Sequence, residues 1–191
     1  MPVLASTPKR LRADAQRNRD ALLATAGVVF ARLGTDVPLE VVAQEAGVGR
    51  GTLYRHFPSR EHMLAAIMRD NATLLEEKAR ELIEAPKLSD GLPDWLRLYD
   101  RFATEFPGMS AHVGGLADDN SPMAGTCGPM KDSFARLWLR AQRAGRARRG
   151  VTATQALALI SSLPKNPATG RTAKPYLDVA LEGLRVLTDD Q

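Results

Sequence analysis

Three glycines at alternate positions, 47, 49 and 51, punctuate the stretch AQEAGVGRGTLYRHF of residues 43–57. That pattern restricts what the chain can fold into more than any other feature it carries. Alternating glycines serve either as a loop whose bare backbone wraps a phosphate or as a sharp corner between two helices. A dinucleotide loop needs G-x-G-x-x-G directly after a strand, but position 52 is Thr, and Leu39 to Ala46 have helical rather than strand spacing. A Walker-type loop would close on Gly-Lys-Ser/Thr, whereas Gly51 is followed by Thr52 with no lysine. The helical corner meets each local demand. Ala43 is small enough for a second helix to cross it, Gly47 suits a turn with positive φ, and Val48 plugs the corner. Leu53 and Phe57 face back from the second helix, and Gly49 is a workable N-cap. A glycine inside so short a helix costs about 1 kcal/mol against alanine, so Gly51 implies a partner that comes close.

Helical spacing continues on both sides of the corner. Leu22, Ala26, Val29, Phe30 and Leu33 recur at three- and four-residue steps and predict a helix over about 14–33, closed by Gly34. Pro38 suits the first turn of a helix burying Leu39, Val42, Ala43 and Ala46, and a short helix follows over 50–56. Ser59 is a natural N-cap for a long helix over 60–84, with Leu64, Ile67, Leu74, Leu75 and Leu82 as its inner face. After the connector APKLSDGLP, the residues Trp95, Leu98, Tyr99, Phe102 and Phe106 mark another helix that Pro107-Gly108 ends. Residues 107–129 hold five glycines and three prolines; the reading there is a short helix and the start of another, kinked or delayed by Pro129. A helix over about 130–147 follows, then one opened by a Thr152/Gln155 capping box and running through Leu163, then a polar loop. The last helix spans about 175–188 and aligns Leu177, Ala180, Leu181, Leu184 and Leu187. No period-two pattern is convincing, so the expected class is all-α with about nine helices.

Charge is loaded at one end. Residues 1–60 hold nine Lys/Arg against five acids, while residues 61–191 hold seventeen of each. Surplus positive charge beside the corner motif is the footprint of a nucleic-acid-binding module, with a solvated basic tail as the plainer alternative. On the outer side of the short helix, Thr52, Tyr54, Arg55 and His56 supply hydroxyl, aromatic and cationic donors suited to phosphates and base edges.

The run DVPLEVVAQEAGVGRGTLYRHFPSREHML resembles the N-terminal helix-turn-helix of the tetracycline-repressor (TetR) family of bacterial regulators. Ala46, Gly47, Val48, Gly51, Thr52, Leu53, Tyr54, His56 and Phe57 match its motif A-G-V-x-x-G-T-L-Y-x-H-F. The motif-level likeness covers about residues 14–70; beyond that, length and the all-helical pattern agree. The resemblance implies an arm over 1–13, a DNA-binding domain over 14–58 and a ligand-binding and dimerisation domain over 59–191. It implies that Arg50, Gly51 and Thr52 face the major groove, that Tyr54, His56 and Arg60 meet phosphate, and that the arm through Arg17 adds contacts. Ala43, Gly47, Val48, Leu53 and Phe57 are the implied core of the corner. Three positions depart from the pattern: Val37 stands where a capping Thr is usual, Glu40 where a basic or polar DNA-facing residue is common, and Gly49 where Ser is usual.

One helix-turn-helix reads half a site, so the implied protein is a homodimer, paired through its last two helices, that represses from a palindromic double-stranded operator. The alternative is that these two helices pack inside a single subunit. Trp95, Tyr99, Phe102, Phe106, His112, Met130, Phe134 and Trp138 lie in the region richest in aromatics and sulfur; such residues line adaptable pockets but also fill ordinary cores. By resemblance, an apolar small-molecule effector bound here would tilt the long helix and release DNA. A DNA-binding regulator without a ligand is the second reading. A small helical enzyme is the third, with His112 or Cys127 as its best case, but His56, His62 and His112 share no metal-ligand spacing and no nucleophile–base set stands out. No cofactor, metal or catalytic residue is expected. Cys127 is the only cysteine, which excludes an internal disulfide and reads as a passive small residue. No apolar run approaches membrane-spanning length and no secretory leader is evident, so the expected location is the cytoplasm of a bacterium.

Overall fold

The computed structural model describes residues 8–86, 91–113, 121–166 and 169–185, which form nine α-helices and, apart from one isolated bridge between Lys165 and Thr172, no strand. The first three make the head: α1 (Pro8–Leu33), α2 (Leu39–Glu45) and α3 (Arg50–His56). Helix α1 begins at Pro8, so residues 8–13 are helical and not part of an arm. Pro8 fits a first helical position, and Lys9, Arg10 and Arg12 are good helix formers. Leu22, Ala26, Val29 and Phe30 meet Leu39, Val42 and Ala43 of α2 and Leu53 of α3, all buried, with Phe57 just beyond closing the cluster. Leu33 departs from expectation at 52% exposed. Helix α2 starts from Pro38 as N-cap, with no side-chain acceptor, so the capping position is 38 rather than 37.

The long α4 (Arg60–Glu84) is the spine. Ser59 opens it, its hydroxyl accepting from the His62 N–H. Its first turns sink Met63 and Leu64 into the head cluster, and the rest runs along the body. The most extensive packing in the molecule joins α4 to α7 (Pro122–Arg143). Buried positions on α7 alternate four- and three-residue steps, Met123, Cys127, Met130, Phe134, Leu137 and Ala141, the spacing of a two-helix seam. Met68, Ala72, Leu75 and Ala79 answer from α4, whereas Leu74, expected inside, is 38% exposed because it falls off that seam. Pro129 lies within α7 and neither delays nor ends it. The local penalty of about 3 kcal/mol is offset by burying Met123, Cys127 and Met130 on either side.

Helix α5 (Gly91–Ala103) lays Trp95 on this seam. Its ring stacks on Phe134 at 4.4 Å and its indole N–H donates to the Leu75 carbonyl at 2.9 Å. The helix stops at Ala103, so Phe106 is outside it although buried. The short α6 (Met109–Val113) follows, and α8 (Ala153–Ser162) and α9 (Lys174–Leu184) close the body. The Thr152/Gln155 capping box forms in full. Leu187, expected on α9, lies outside the described residues.

The C-terminal carbonyls of α4, which no residue of that helix can satisfy, receive the Arg140 guanidinium of α7: it donates to Leu82, Ile83 and Ala85. Arg140→Ala is therefore expected to cost about 2 kcal/mol, since charged hydrogen bonds are lost and carbonyls orphaned. Denaturant unfolding measures it, with Arg140→Lys expected in between.

Candidate nucleic-acid interface

Gly47 adopts φ +66°, and the Val48 N–H donates to the Ala43 carbonyl at 2.9 Å, so the corner is closed by the backbone itself. This geometry turns α3 so that Leu53 and Phe57 point into the head while Arg50, Gly51, Tyr54 and Arg55 are exposed. Thr52 and His56 are half-buried on the flanks. A side chain at Gly51 would meet nothing within 4 Å, so no neighbour in the chain itself requires glycine there. Arg17 lies on the outer side of α1, exposed and paired with Asp14.

Two side chains have partners that sequence spacing did not reveal. Arg60 donates to the carbonyls of Thr35 and Val37, holding the turn that leads into α2. One nitrogen of its guanidinium is thus engaged in positioning the head. Glu40, in the first turn of α2, accepts the Tyr54 hydroxyl at 2.8 Å and lies 3.3 Å from the Arg50 guanidinium. Arg50 in turn sits 5.7 Å from the centroid of the Tyr54 ring. The hydrogen bond from Tyr54, its backbone surroundings and nearby Arg50 hold the Glu40 carboxyl below its ordinary range, and the same bond pushes the Tyr54 phenol up. Behind this face, Arg19 lies 5.5 Å from the Phe57 ring centroid. A fourteen-residue separation hides the Glu40–Tyr54 pair from any periodicity, and the only available signal was an acid on an otherwise basic face.

In the body, a cavity of about 10 Å³ lies between Met68, Ala72 and Leu75 of α4, Tyr99, Phe102 and Ala103 of α5, and Cys127 and Met130 of α7. Three of the eight residues expected at a pocket, Tyr99, Phe102 and Met130, line it. Trp95, Phe134 and Trp138 are stacked core beside it, Phe106 packs edge-on against Phe30, and His112 lies 4.0 Å from Asp36. Of the α4 residues, Leu75 reads as core in the sequence and Met68 and Ala72 do not stand out, because their spacing is that of ordinary core. The Tyr99 hydroxyl is 2.8 Å from that of Ser161, and burial pushes its pKa up to about 12. Burial likewise pushes the Cys127 thiol up, and it donates to the Met123 sulfur at 3.6 Å, so it is a poor nucleophile. Among the described residues, no group of three His, Cys, Asp or Glu is placed to hold a metal ion.

Besides α4, which runs from the head to the cavity, a turn after α5 links the two. Directly after the cavity-lining end of α5, the Pro107 carbonyl accepts the Thr35 N–H at 2.8 Å, and Pro107 also lies against Gly34 and Gly170. Thr35 is fully buried, and its hydroxyl has no hydrogen-bond partner among the described residues.

Two family models match the chain. One, described as bacterial regulatory proteins of the tetR family, spans residues 22–67; the other, described as the C-terminal domain of SbtR-like transcriptional regulators, spans residues 89–186. The solved TetR transcription regulatory protein from Mycobacterium vanbaalenii is 33% identical, over 92% of this chain and 99% of that one, with a TM-score of 0.52. The TetR transcriptional regulator SCO0520 from Streptomyces coelicolor is 31% identical over 89% and 99%, TM-score 0.52. A TetR-family regulator from Pectobacterium atrosepticum, 23% identical over 92% and 98%, shares the fold with a TM-score of 0.55. No curated protein matches the chain.

Proposed function

This chain belongs to the tetR family of bacterial regulatory proteins and is a DNA-binding transcriptional regulator, not an enzyme; on that premise we propose that it is a cytoplasmic repressor that grips a palindromic operator as a homodimer and is released by an apolar small molecule. The observation that carries the reading is the division of α3: its apolar residues are spent on the head, and its donors, Arg50, Tyr54 and Arg55, are left outside. Arg50, Gly51 and Thr52 are the proposed base-reading residues, and Tyr54, Arg55 and His56 the proposed phosphate contacts, with Arg17 beside them. Arg60 is proposed to meet phosphate as well, while one of its nitrogens fixes the α1–α2 turn. Pairing is proposed through the outer face of α8 and α9, where Leu159, Tyr176 and Val179 are uncovered. The proposed ligand enters between α4, α5 and α7, and because the space there is nearly closed, it must push α5 aside and with it the Pro107 turn that holds Thr35. Among the described residues, no helix is long and apolar enough to cross a membrane.

Selection of binding sites from random duplexes tests the reading. Enrichment of a palindrome with half-sites about one helical turn apart is expected; no enrichment even in dilute salt would refute it. Tyr54→Ala is expected to weaken every duplex by a similar factor, several-fold, with the preferred sequence unchanged. A loss confined to one sequence, measured by fluorescence anisotropy, would contradict the phosphate role.

A further inference from the structure

We propose that Glu40 determines operator specificity by exclusion: its carboxylate sits on the reading face and admits only duplex sequence that presents an amine donor to it. The inference rests on the DNA-reading role of α3. Glu40 is a half-exposed acid at the head of α2, yet its side chain is drawn across to α3, where one oxygen holds both the Tyr54 hydroxyl at 2.8 Å and the Arg50 guanidinium at 3.3 Å. It therefore lies among the residues that meet DNA, not beside them. In the DNA-free protein, Tyr54 and Arg50 satisfy it. On a duplex both donors are wanted elsewhere, and the carboxylate is left facing the groove.

Non-specific binding is almost entirely attraction to phosphates, and a carboxylate on the binding face subtracts from it at every sequence. Inside the groove, an ionised carboxylate can only accept. It is repelled by the O6 and N7 of guanine and the O4 of thymine. The exocyclic amines of cytosine and adenine can both donate to it, but adenine's lies beside its own N7 acceptor, so cytosine satisfies it best. A cytosine at the base pair beside the one Arg50 reads best offsets the loss of Tyr54 and Arg50, adenine offsets it less, and guanine and thymine do not. Discrimination of this kind comes from penalising the wrong partner.

The plainer role for Glu40 is to complement the N-terminal dipole of α2, and Glu45 provides the control. It lies on the same helix but pairs with Arg32 of α1, away from α3. Removing the charge at either position changes the total equally. The test compares wild type, Glu40→Gln and Glu45→Gln by anisotropy on the selected operator and on a scrambled duplex, with site selection repeated for each. Glu40→Gln is expected to lower the ratio of operator to scrambled affinity at least fivefold and to erase the cytosine preference at one base pair per half-site, while Glu45→Gln keeps both. Equal changes in the two variants, or an unaltered site and ratio in Glu40→Gln, would overturn the proposal. A wild-type protein that binds no duplex would instead overturn the DNA reading on which it stands.

Discussion

Val179→Asp is expected to yield a folded monomer whose affinity for the operator is at least 100-fold below that of the parent. Val179 is 68% exposed on α9, with Tyr176 53% exposed one turn before it and Leu159 40% exposed on α8. The inner face of α9, by contrast, is committed to the subunit through Ala180, Leu181 and Leu184. The substitution therefore touches nothing in the core and should leave the unfolding midpoint of the monomer unaltered. Across a twofold axis the same patch meets itself, so one aspartate becomes two carboxylates brought together out of water. Desolvating each ion costs several kcal/mol, with no cation on the apolar face to compensate. Separated heads then bind half-sites independently, and the advantage of tethering, about 10²- to 10⁴-fold, disappears. Light scattering together with anisotropy reads both halves of the expectation. A variant that remains dimeric and keeps its operator would place the pairing surface somewhere other than α8 and α9.

Gly108→Ala is expected to destabilise the fold by about 3 kcal/mol, lowering the melting temperature by roughly 10 °C for a chain of this size. Two causes act together. Gly108 has φ +86°, a left-handed conformation that an L side chain adopts only at a cost of about 1–2 kcal/mol. Its added Cβ would also meet the Thr35 hydroxyl oxygen at 2.5 Å, within a wall where Thr35 has no room to retreat. The two causes separate in a double mutant. Thr35→Ala removes the colliding atom, and since that hydroxyl is a buried polar group without a partner, its loss is itself cheap. Gly108→Ala made on the Thr35→Ala background is expected to cost about half as much as on the parent, the backbone part persisting. Equal costs in both backgrounds would mean that the turn shifts freely away from Thr35, and that Pro107 does not hold the head firmly against the body.

Much of the head was legible because its signals are local. The left-handed turn at Gly47, the N-caps at Gly49 and Ser59, and the inward pair Leu53 and Phe57 each depend on residues within a turn or two, and all are found as the spacing predicts. The capping box at Thr152 and Gln155 succeeded for the same reason. The cavity was half-legible. Composition located its neighbourhood, but aromatic and sulfur-bearing side chains look alike whether they wall a space or fill one. Trp95 and Phe134 proved to be stacked core, while Met68, Ala72 and Leu75 line the space from α4, and of these three only Leu75 stands out in the sequence, as core.

What the order of residues determined alone is therefore that the fold is all-α, where the capped helices start and most of each apolar face, since capping, glycine turns and three-to-four spacing are settled by neighbours in the chain. Which long polar side chains meet was decided only when the helices had packed. Arg140 finds the end of α4 some 57 residues away, Arg60 the carbonyls before α2, and Glu40 the reading face of α3. The same holds for Pro129, tolerated within α7 because packing on either side outweighs its local cost. Such choices depend on the distance between elements, and no run of residues carries that distance.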